Sequence, residues 1–436
     1  MRPLPPPGAP LFVRRLAVPP ELPRLLAAFE GAPLPQVLWS ADGSGPSYLM
    51  AEPIAEASEL DPEPALPLGS PLREHAEVPR WVGVLPYEAC RALERSSDAA
   101  DLREPPWLTR VRWYRYGAVA RVFGDEVTLI GDHEPSLERL SSRLIDGARS
   151  SSRPWGSAAR VTRVPDPADD PAAHRARIER ALTHIAAGDI YQVNLARRFS
   201  YIRAGGHLAL LAAAAAHGVA PYAAALTLGE RQVVSLSPEL FLSLEPGGEL
   251  TTIPIKGTRP RGHDAAADLA LQRELDQDPK ERAELAMILD VERNDLGRVA
   301  VTGSVQLADP PYIATHPTLH HRQARLTATL RPELGRAALL RAMLPSGSVT
   351  GAPKVRAMEL IARLEPVRRG LYTGAYGHVS HDGGLTLAMA IRTLCLTGEL
   401  GRYHVGGGIV ADSDPERELE ETEWKALAWT RLASTA

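Results

Sequence analysis

Two cysteines occur in 436 residues. Cys90 and Cys395 are too few and too isolated for a disulfide framework or a cysteine zinc site, and their scarcity fits a reducing cytoplasm. No run approaches the roughly 20 apolar residues of a membrane-spanning helix. The opening, MRPLPPPGAPLFVRRLAV, interrupts its apolar residues with prolines and arginines, unlike a signal peptide. Neither sign of charge dominates: 49 basic against 53 acidic side chains leave a net charge of −4, without the basic excess expected of a nucleic-acid binder. Among the charged residues lysine is the scarcest. Lys256, Lys280, Lys354 and Lys425 are four of the 49 basic residues, and none lies in the first 255 positions. Arginine stays protonated, whereas lysine can act as a neutral amine, so a surviving lysine marks a place where arginine cannot serve. What remains is ordinary: an apolar fraction of 44%, enough for a substantial core.

Residues 1–150 alternate short apolar runs with proline-rich turns. WVGVLPYEAC (81–90), VRWYRYGAVARVF (111–123) and EVTLIG (126–131) are predicted as strands because β-branched and aromatic residues dominate them. Residues 151–172, rich in Ser, Pro and Asp, read as a linker between two units or a crossing within one, ahead of a catalytic region at 173–430. Ile178, Leu182 and Ile185 share a helical face that ends near Gly188. A helix over 208–218 and strands over 231–237, 240–244 and 250–255 follow. Asp278-Pro279-Lys280-Glu281 starts a helix, with Asp278 as N-cap and Glu281 as its reciprocal partner. Asp414-Pro415-Glu416 starts another, after strands over 385–396 and 402–410. The fold class is α+β, with large antiparallel sheets.

Several stretches can carry chemistry. Glu239 in SPELF and Lys256 in IPIKGT could form an acid/base or acid/nucleophile pair if adjacent strands bring them together. Lys256 is flanked by Ile253, Pro254 and Ile255, an apolar setting; the plain alternative is a strand-end lysine reaching water. Glu281, Glu284 and Ile288 share one helical face, and so do Glu418, Glu421 and Lys425. These carboxylates are solvated helix surface, or they converge on a hard cation such as Mg²⁺. Asp290, Glu292 and Asp295 read as structural ion-pair and capping groups. PSGSVTGAPKV (345–355) is a glycine-rich turn running into a helix, able to receive an anion, but it lacks the Gly-Lys-Ser/Thr ending of a nucleotide loop. VGGGIV (405–410) permits close backbone approach to a ligand, or is a bulged strand. His320 and His321 would point to opposite faces of a strand. Arg392, in the alternating run LAMAIRT, would need an anion, either a ligand carboxylate or a structural one.

Taken in order, GDIYQVNLARRF, SPELF, PIKGT, ERAELAMILDVERNDLGRV, HH, GSVTGAPKVRAMELIARLEP, YTGAYGHVS, AIRT and GGGIVADSDPERELEETEWKA closely resemble the chorismate-utilising enzymes over residues 170–430. LWSADGSGPSYLMAEP (38–53) matches more loosely. The resemblance implies an α/β sandwich of antiparallel sheets wrapped by helices. Family members that make anthranilate usually carry alanine in PIAGT, as usually do those making isochorismate or salicylate; those that make 4-amino-4-deoxychorismate carry lysine. The resemblance therefore implies amination of chorismate for 4-aminobenzoate and folate synthesis, with Lys256 attacking C2 and Glu239 protonating the leaving C4 hydroxyl. It also implies Mg²⁺ held by Glu284 and Glu418, with Glu421 nearby and Lys425 beside them. His321, Thr350, Gly351, Tyr372, Arg392, Gly407 and Gly408 match groups around the substrate, although HHRQA stands where relatives commonly have HHLVS. Neither cysteine sits in a glutaminase nucleophile turn, so the ammonia is expected free or from a separate glutaminase subunit. Formation of anthranilate, or binding of chorismate without turnover, are the alternatives.

Overall fold

A computed structural model describes residues 5–68, 74–93, 108–150, 159–217, 220–316 and 319–430. Part of the proline- and serine-rich stretch at 151–172, residues 151–158, lies outside the described residues; the strand Arg160–Val164 follows it and pairs with Gln192–Ala204.

Among the described residues, two antiparallel sheets of 12 and 10 strands form the α+β architecture. Period-2 alternation decides what each strand buries. Along Tyr222–Leu228, Ala224, Leu226 and Leu228 face one cluster, and Ala223 and Ala225 another. Along Pro79–Leu85, Val82 and Val84 face that same central cluster, while Trp81 and Leu85 face outward. The central cluster thus draws one face from each sheet and forms the middle of a sandwich. Helices Leu22–Ala27, Glu134–Ser150 and His207–His217 cover the outer face of the larger sheet. Helices Pro279–Gly297 and Arg336–Met343 cover that of the smaller. Both sheets take strands from either side of residue 150. No helix among the described residues is long and apolar enough to cross a membrane.

Three predicted strands are interrupted, two of them where the chain passes from one sheet to the other. The run 111–123 splits into Arg112–Arg115 in the smaller sheet and Ala118–Phe123 in the larger. At the break, a Cβ on Gly117 would lie 2.7 Å from the His133 Cβ, so only glycine lets the chain pass. The run 385–396 splits into Leu385–Met389 and Thr393–Thr397, again in different sheets. Arg392 therefore sits in a crossing with φ of 51°, not on an alternating strand. Residues 81–90 are the strand Pro79–Leu85 followed by the helix Tyr87–Arg91, with Pro86 at the junction. A further crossing joins Arg231–Ser237 to Leu240–Leu244 and contains Glu239.

Candidate active site

The two crossings that carry Glu239 and Arg392 run side by side. Leu236 N–H donates to the Arg392 carbonyl at 3.1 Å, and Met389 N–H to the Glu239 carbonyl at 3.1 Å. Residues in such crossings leave the ladder and can turn their side chains into the gap between elements. Here the gap is a cleft of about 670 Å³, closed on its other sides by helices Pro279–Gly297 and Pro415–Thr430. Asp278 and Asp414 cap those helices, each accepting from two backbone N–H groups at their starts.

Ten of the candidate residues line this cleft: Glu239, Lys256, Glu284, His321, Tyr372, Arg392, Gly408, Glu418, Glu421 and Lys425. Gly407 adjoins it: a Cβ there would lie 2.9 Å from a Glu418 carboxylate oxygen. Thr350 and Gly351 stand behind the wall. Thr350 donates to the Ser346 carbonyl at 2.8 Å, and a Gly351 side chain would meet the Gln192 carbonyl at 2.2 Å.

Lys256 is aimed by a bulge. The strand Ile255–Pro260 pairs with Leu319–Thr329, but its register shifts between Ile255 and Thr258. The bulge re-aims the side chain, and Gly257 supplies the φ of 85° that it needs. Lys256 Nζ donates to the Ser348 carbonyl at 3.4 Å. Its surroundings are not the apolar ones its sequence neighbours suggested: the positive charge acts on Glu239, Glu284 and Glu421, because the two acidic helices turn their carboxylates inward.

Glu239 is 6% exposed and accepts from Ser348 Oγ at 3.2 Å. Burial pushes its carboxyl up to about 7, against the opposing pull of Lys256. A carboxyl that keeps its proton near neutrality is suited to donate it. Ser348 thus touches both groups, Lys256 through its carbonyl and Glu239 through its hydroxyl.

His321 is buried. Its Nδ1 lies 3.0 Å from Thr258 Oγ1, and its Nε2 has no hydrogen-bond partner. Burial and then the Arg392 charge lower its pKa to about 3, so the ring is neutral. His320 points the other way, to Asp268 at 2.9 Å. Arg392 has no ion pair among the described residues and faces the cleft. Tyr372 stacks on His404 at 5.6 Å. The strand Leu400–Ile409 has partners on both edges only as far as Tyr403; from His404 onward one edge lies open. A cationic side chain, a phenol and an open backbone edge are what a small ligand with carboxylates requires.

The acidic groups meet across the cleft. Lys280 Nζ lies 3.4 Å from Glu418 and 3.8 Å from Glu284. Burial and then the Glu418 and Glu421 charges raise Glu284, with Lys256 and Lys280 opposing. Against its partial desolvation, Glu421 is lowered by Lys425, 2.6 Å away. Ser413 donates to Glu418 at 2.7 Å and fixes its orientation. Among the described residues no three His, Cys, Asp or Glu side chains form a closed metal cage. The donors are hard carboxylates facing an open cleft, which suits an ion such as Mg²⁺ that takes few protein ligands and keeps positions for water and substrate oxygens.

Several groups build the site in ways that spacing did not indicate. The Glu281 side chain makes no bond back to the Asp278 N–H, so the reciprocal cap is not closed; instead it lines the cleft, where a Cβ on Gly257 would lie 3.0 Å from its carboxylate. Glu292, read from sequence as an ion-pair or capping group, is 1% exposed and accepts from Ser346 Oγ at 2.6 Å. Arg369 is the tie behind the wall. It pairs with Glu365 at 2.6 Å and donates to the carbonyls of Val349 at 2.9 Å and Asn194 at 2.8 Å. Arg369→Ala would leave a buried carboxylate uncompensated, with an expected loss of roughly 3–5 kcal/mol in unfolding free energy, measured by urea denaturation.

The chorismate binding enzyme family matches residues 39–431. An aminodeoxychorismate synthase from Streptomyces griseus is 38% identical over 377 residues, which cover 82% of this chain and 50% of that protein. The chain thus spans about half the length of that relative. Anthranilate synthase component 1 of Thermus thermophilus is 35% identical over 387 residues, covering 84% of this chain and 81% of that one. Among solved structures, anthranilate synthase component I from Streptococcus pneumoniae superposes with a TM-score of 0.74 at 27% identity, covering 89% of this chain and 92% of that one.

Proposed function

The chain belongs to the chorismate binding enzyme family, and from that premise we propose that it works as an aminodeoxychorismate synthase component I, converting chorismate and ammonia to 4-amino-4-deoxychorismate for 4-aminobenzoate and folate synthesis. The observation that carries this reading is the placement of Lys256 and Glu239 on either side of Ser348 in one cleft. An anthranilate-forming site has no evident use for a nucleophile at the position of Lys256, where such relatives usually carry alanine.

In the proposed reaction the Lys256 amine, once it has given up its proton, forms a bond to C2 of chorismate. The ring double bonds shift, and the C4 hydroxyl leaves as water with the proton of Glu239. Ammonia then adds at C4 and its nitrogen sheds one proton to solvent, matching the proton that Glu239 must regain; the C2–nitrogen bond breaks, the ring double bonds shift back, and the amine of Lys256 is restored. The sum is chorismate plus ammonia giving aminodeoxychorismate plus water. Arg392 and Tyr372 orient the substrate carboxylates, and His321, neutral at working pH, offers its free Nε2 as a hydrogen-bonding group. Glu284 and Glu418 would hold Mg²⁺, with Glu421 beside them. When bound, Mg²⁺ supplies positive charge to screen a substrate carboxylate and fix the ring. Ammonia comes from a separate glutaminase subunit or from solution.

Two tests address the reading. With chorismate, Mg²⁺ and ammonium, the chain is expected to consume chorismate without releasing pyruvate; stoichiometric pyruvate with inhibition by tryptophan would favour anthranilate formation. Calorimetric chorismate binding with no turnover would favour a binder. Gly407→Ala would push on Glu418 and is expected to raise the Mg²⁺ concentration for half-maximal activity by about 10- to 100-fold, read from an Mg²⁺ titration of rate.

A further inference from the structure

Glu239 faces a difficulty once it has protonated the leaving group. It is 6% exposed, and bound substrate would cover its cleft side. Its hydrogen-bonded side-chain partner is Ser348, whose hydroxyl donates to it at 3.2 Å. Behind Ser348 the hydrogen bonds continue. Ser346 Oγ lies 3.1 Å from Ser348 Oγ and 2.6 Å from Glu292 Oε1. Glu292 is 1% exposed, and its other oxygen has no hydrogen-bond partner.

We propose that Glu292 is the internal proton source of this site, recharging Glu239 through the hydroxyls of Ser346 and Ser348. The proposal rests on the reading of Glu239 as the acid. Glu292 touches no substrate; it acts through the two serines.

A hydroxyl has one proton to donate, which fixes the direction of the chain. With Glu292 protonated, it donates to Ser346, Ser346 to Ser348, and Ser348 to the Glu239 carboxylate. Recharging moves each proton one step: the O–H bond at Glu292 breaks, one O–H breaks and one forms at each serine, and one forms at Glu239. One proton is displaced overall and no co-reactant is needed. Glu292 is left as a carboxylate and takes a proton back from water in the emptied cleft, along the same two serines, after product leaves.

The groups facing Glu292 fit this duty. On its own helix is Asp295. From the helix Lys354–Leu364 comes Lys354, paired with Asp295 at 2.6 Å. From the sheet crossing comes Glu239, and from the turn Ser346. Burial and then Asp295 push the Glu292 carboxyl up to about 7, and burial likewise pushes Glu239 up, so both groups are held toward their protonated forms. Turn geometry explains part of the cluster, since Ser348 N–H donates to Ser346 Oγ at 3.0 Å. It does not explain a carboxyl kept out of water behind that turn.

The experiment compares wild type, Glu292→Gln, Ser346→Ala and Glu239→Gln with chorismate, ammonium and Mg²⁺, in mixtures of H₂O and D₂O. Glu292→Gln and Ser346→Ala are each expected to lose roughly 10- to 100-fold in kcat with KM for chorismate within about twofold. The rate against D₂O fraction is expected to be curved in wild type, with several protons in flight, and linear in both variants. Unchanged kcat overturns the proposal. So does a loss in which KM rises with kcat falling and the D₂O dependence keeps its wild-type form, since that is a structural effect. Ser346→Ala leaves the carboxyl in place and decides the matter if Glu292→Gln does not fold. If Glu239→Gln itself keeps full activity, the reading of Glu239 fails instead.

Discussion

Lys256→Ala is expected to abolish conversion of chorismate by roughly 10³- to 10⁶-fold in kcat, the usual scale for removal of a nucleophile. Lys256→Arg is expected to fail equally, because a guanidinium stays protonated and cannot attack carbon. The loss belongs in kcat, because the groups assigned to the substrate carboxylates, Arg392 and Tyr372, are untouched. The measurement is initial rate against chorismate concentration at fixed ammonium and Mg²⁺. Full activity in the alanine variant would contradict the covalent role. The bulge makes a second point: Gly257 is held at φ of 85°, and a side chain there would lie 2.7 Å from Leu275 Cδ1. Aim and chemistry thus depend on neighbouring residues of one motif.

Glu239→Gln is expected to lower kcat by about 10²- to 10⁴-fold, the range for a lost general acid, while stabilising the fold at alkaline pH. In the folded protein Glu239 holds its proton to about 7; unfolded, it releases it near its ordinary value of 4.5. Between those values the folded state binds more protons, so wild-type stability from this group falls as pH rises from about 4.5 through 7. The amide does not titrate. The difference in unfolding free energy, variant minus wild type, is therefore expected to grow between pH 5 and pH 8 in denaturant titrations. A constant difference would contradict the buried, proton-holding carboxyl. The same carboxyl predicts that wild-type activity declines above about pH 7 as the acid form is lost.

Much of the site was legible because the chemistry-bearing residues sit in short ordered motifs. Asp278 and Asp414 announced the starts of the two acidic helices. Patterning does not say which sheet a strand joins. The runs 111–123 and 385–396 read as single strands because their residue types continue through the crossings, and the break lies in backbone conformation at Gly117 and Arg392. Lys256 looked apolar in sequence because its carboxylate neighbours arrive from a sheet crossing before it and from two helices later in the chain. Arg369 and Ser346 gave no signal, and Glu292 read as an ion-pair or capping group, because each draws its meaning from contacts between distant segments. The order of the motifs carried the resemblance that spacing alone could not.

The central claim is the identity of the product, and isotopic labelling tests it most directly. Chorismate, Mg²⁺ and ¹⁵N-ammonium are incubated with the chain, and the product is separated and analysed by mass spectrometry. The expected result is 4-amino-4-deoxychorismate carrying one ¹⁵N and the intact enolpyruvyl group, absent when Lys256 is alanine. Labelled anthranilate with an equivalent of pyruvate, or the same product formed undiminished without Lys256, would contradict the account.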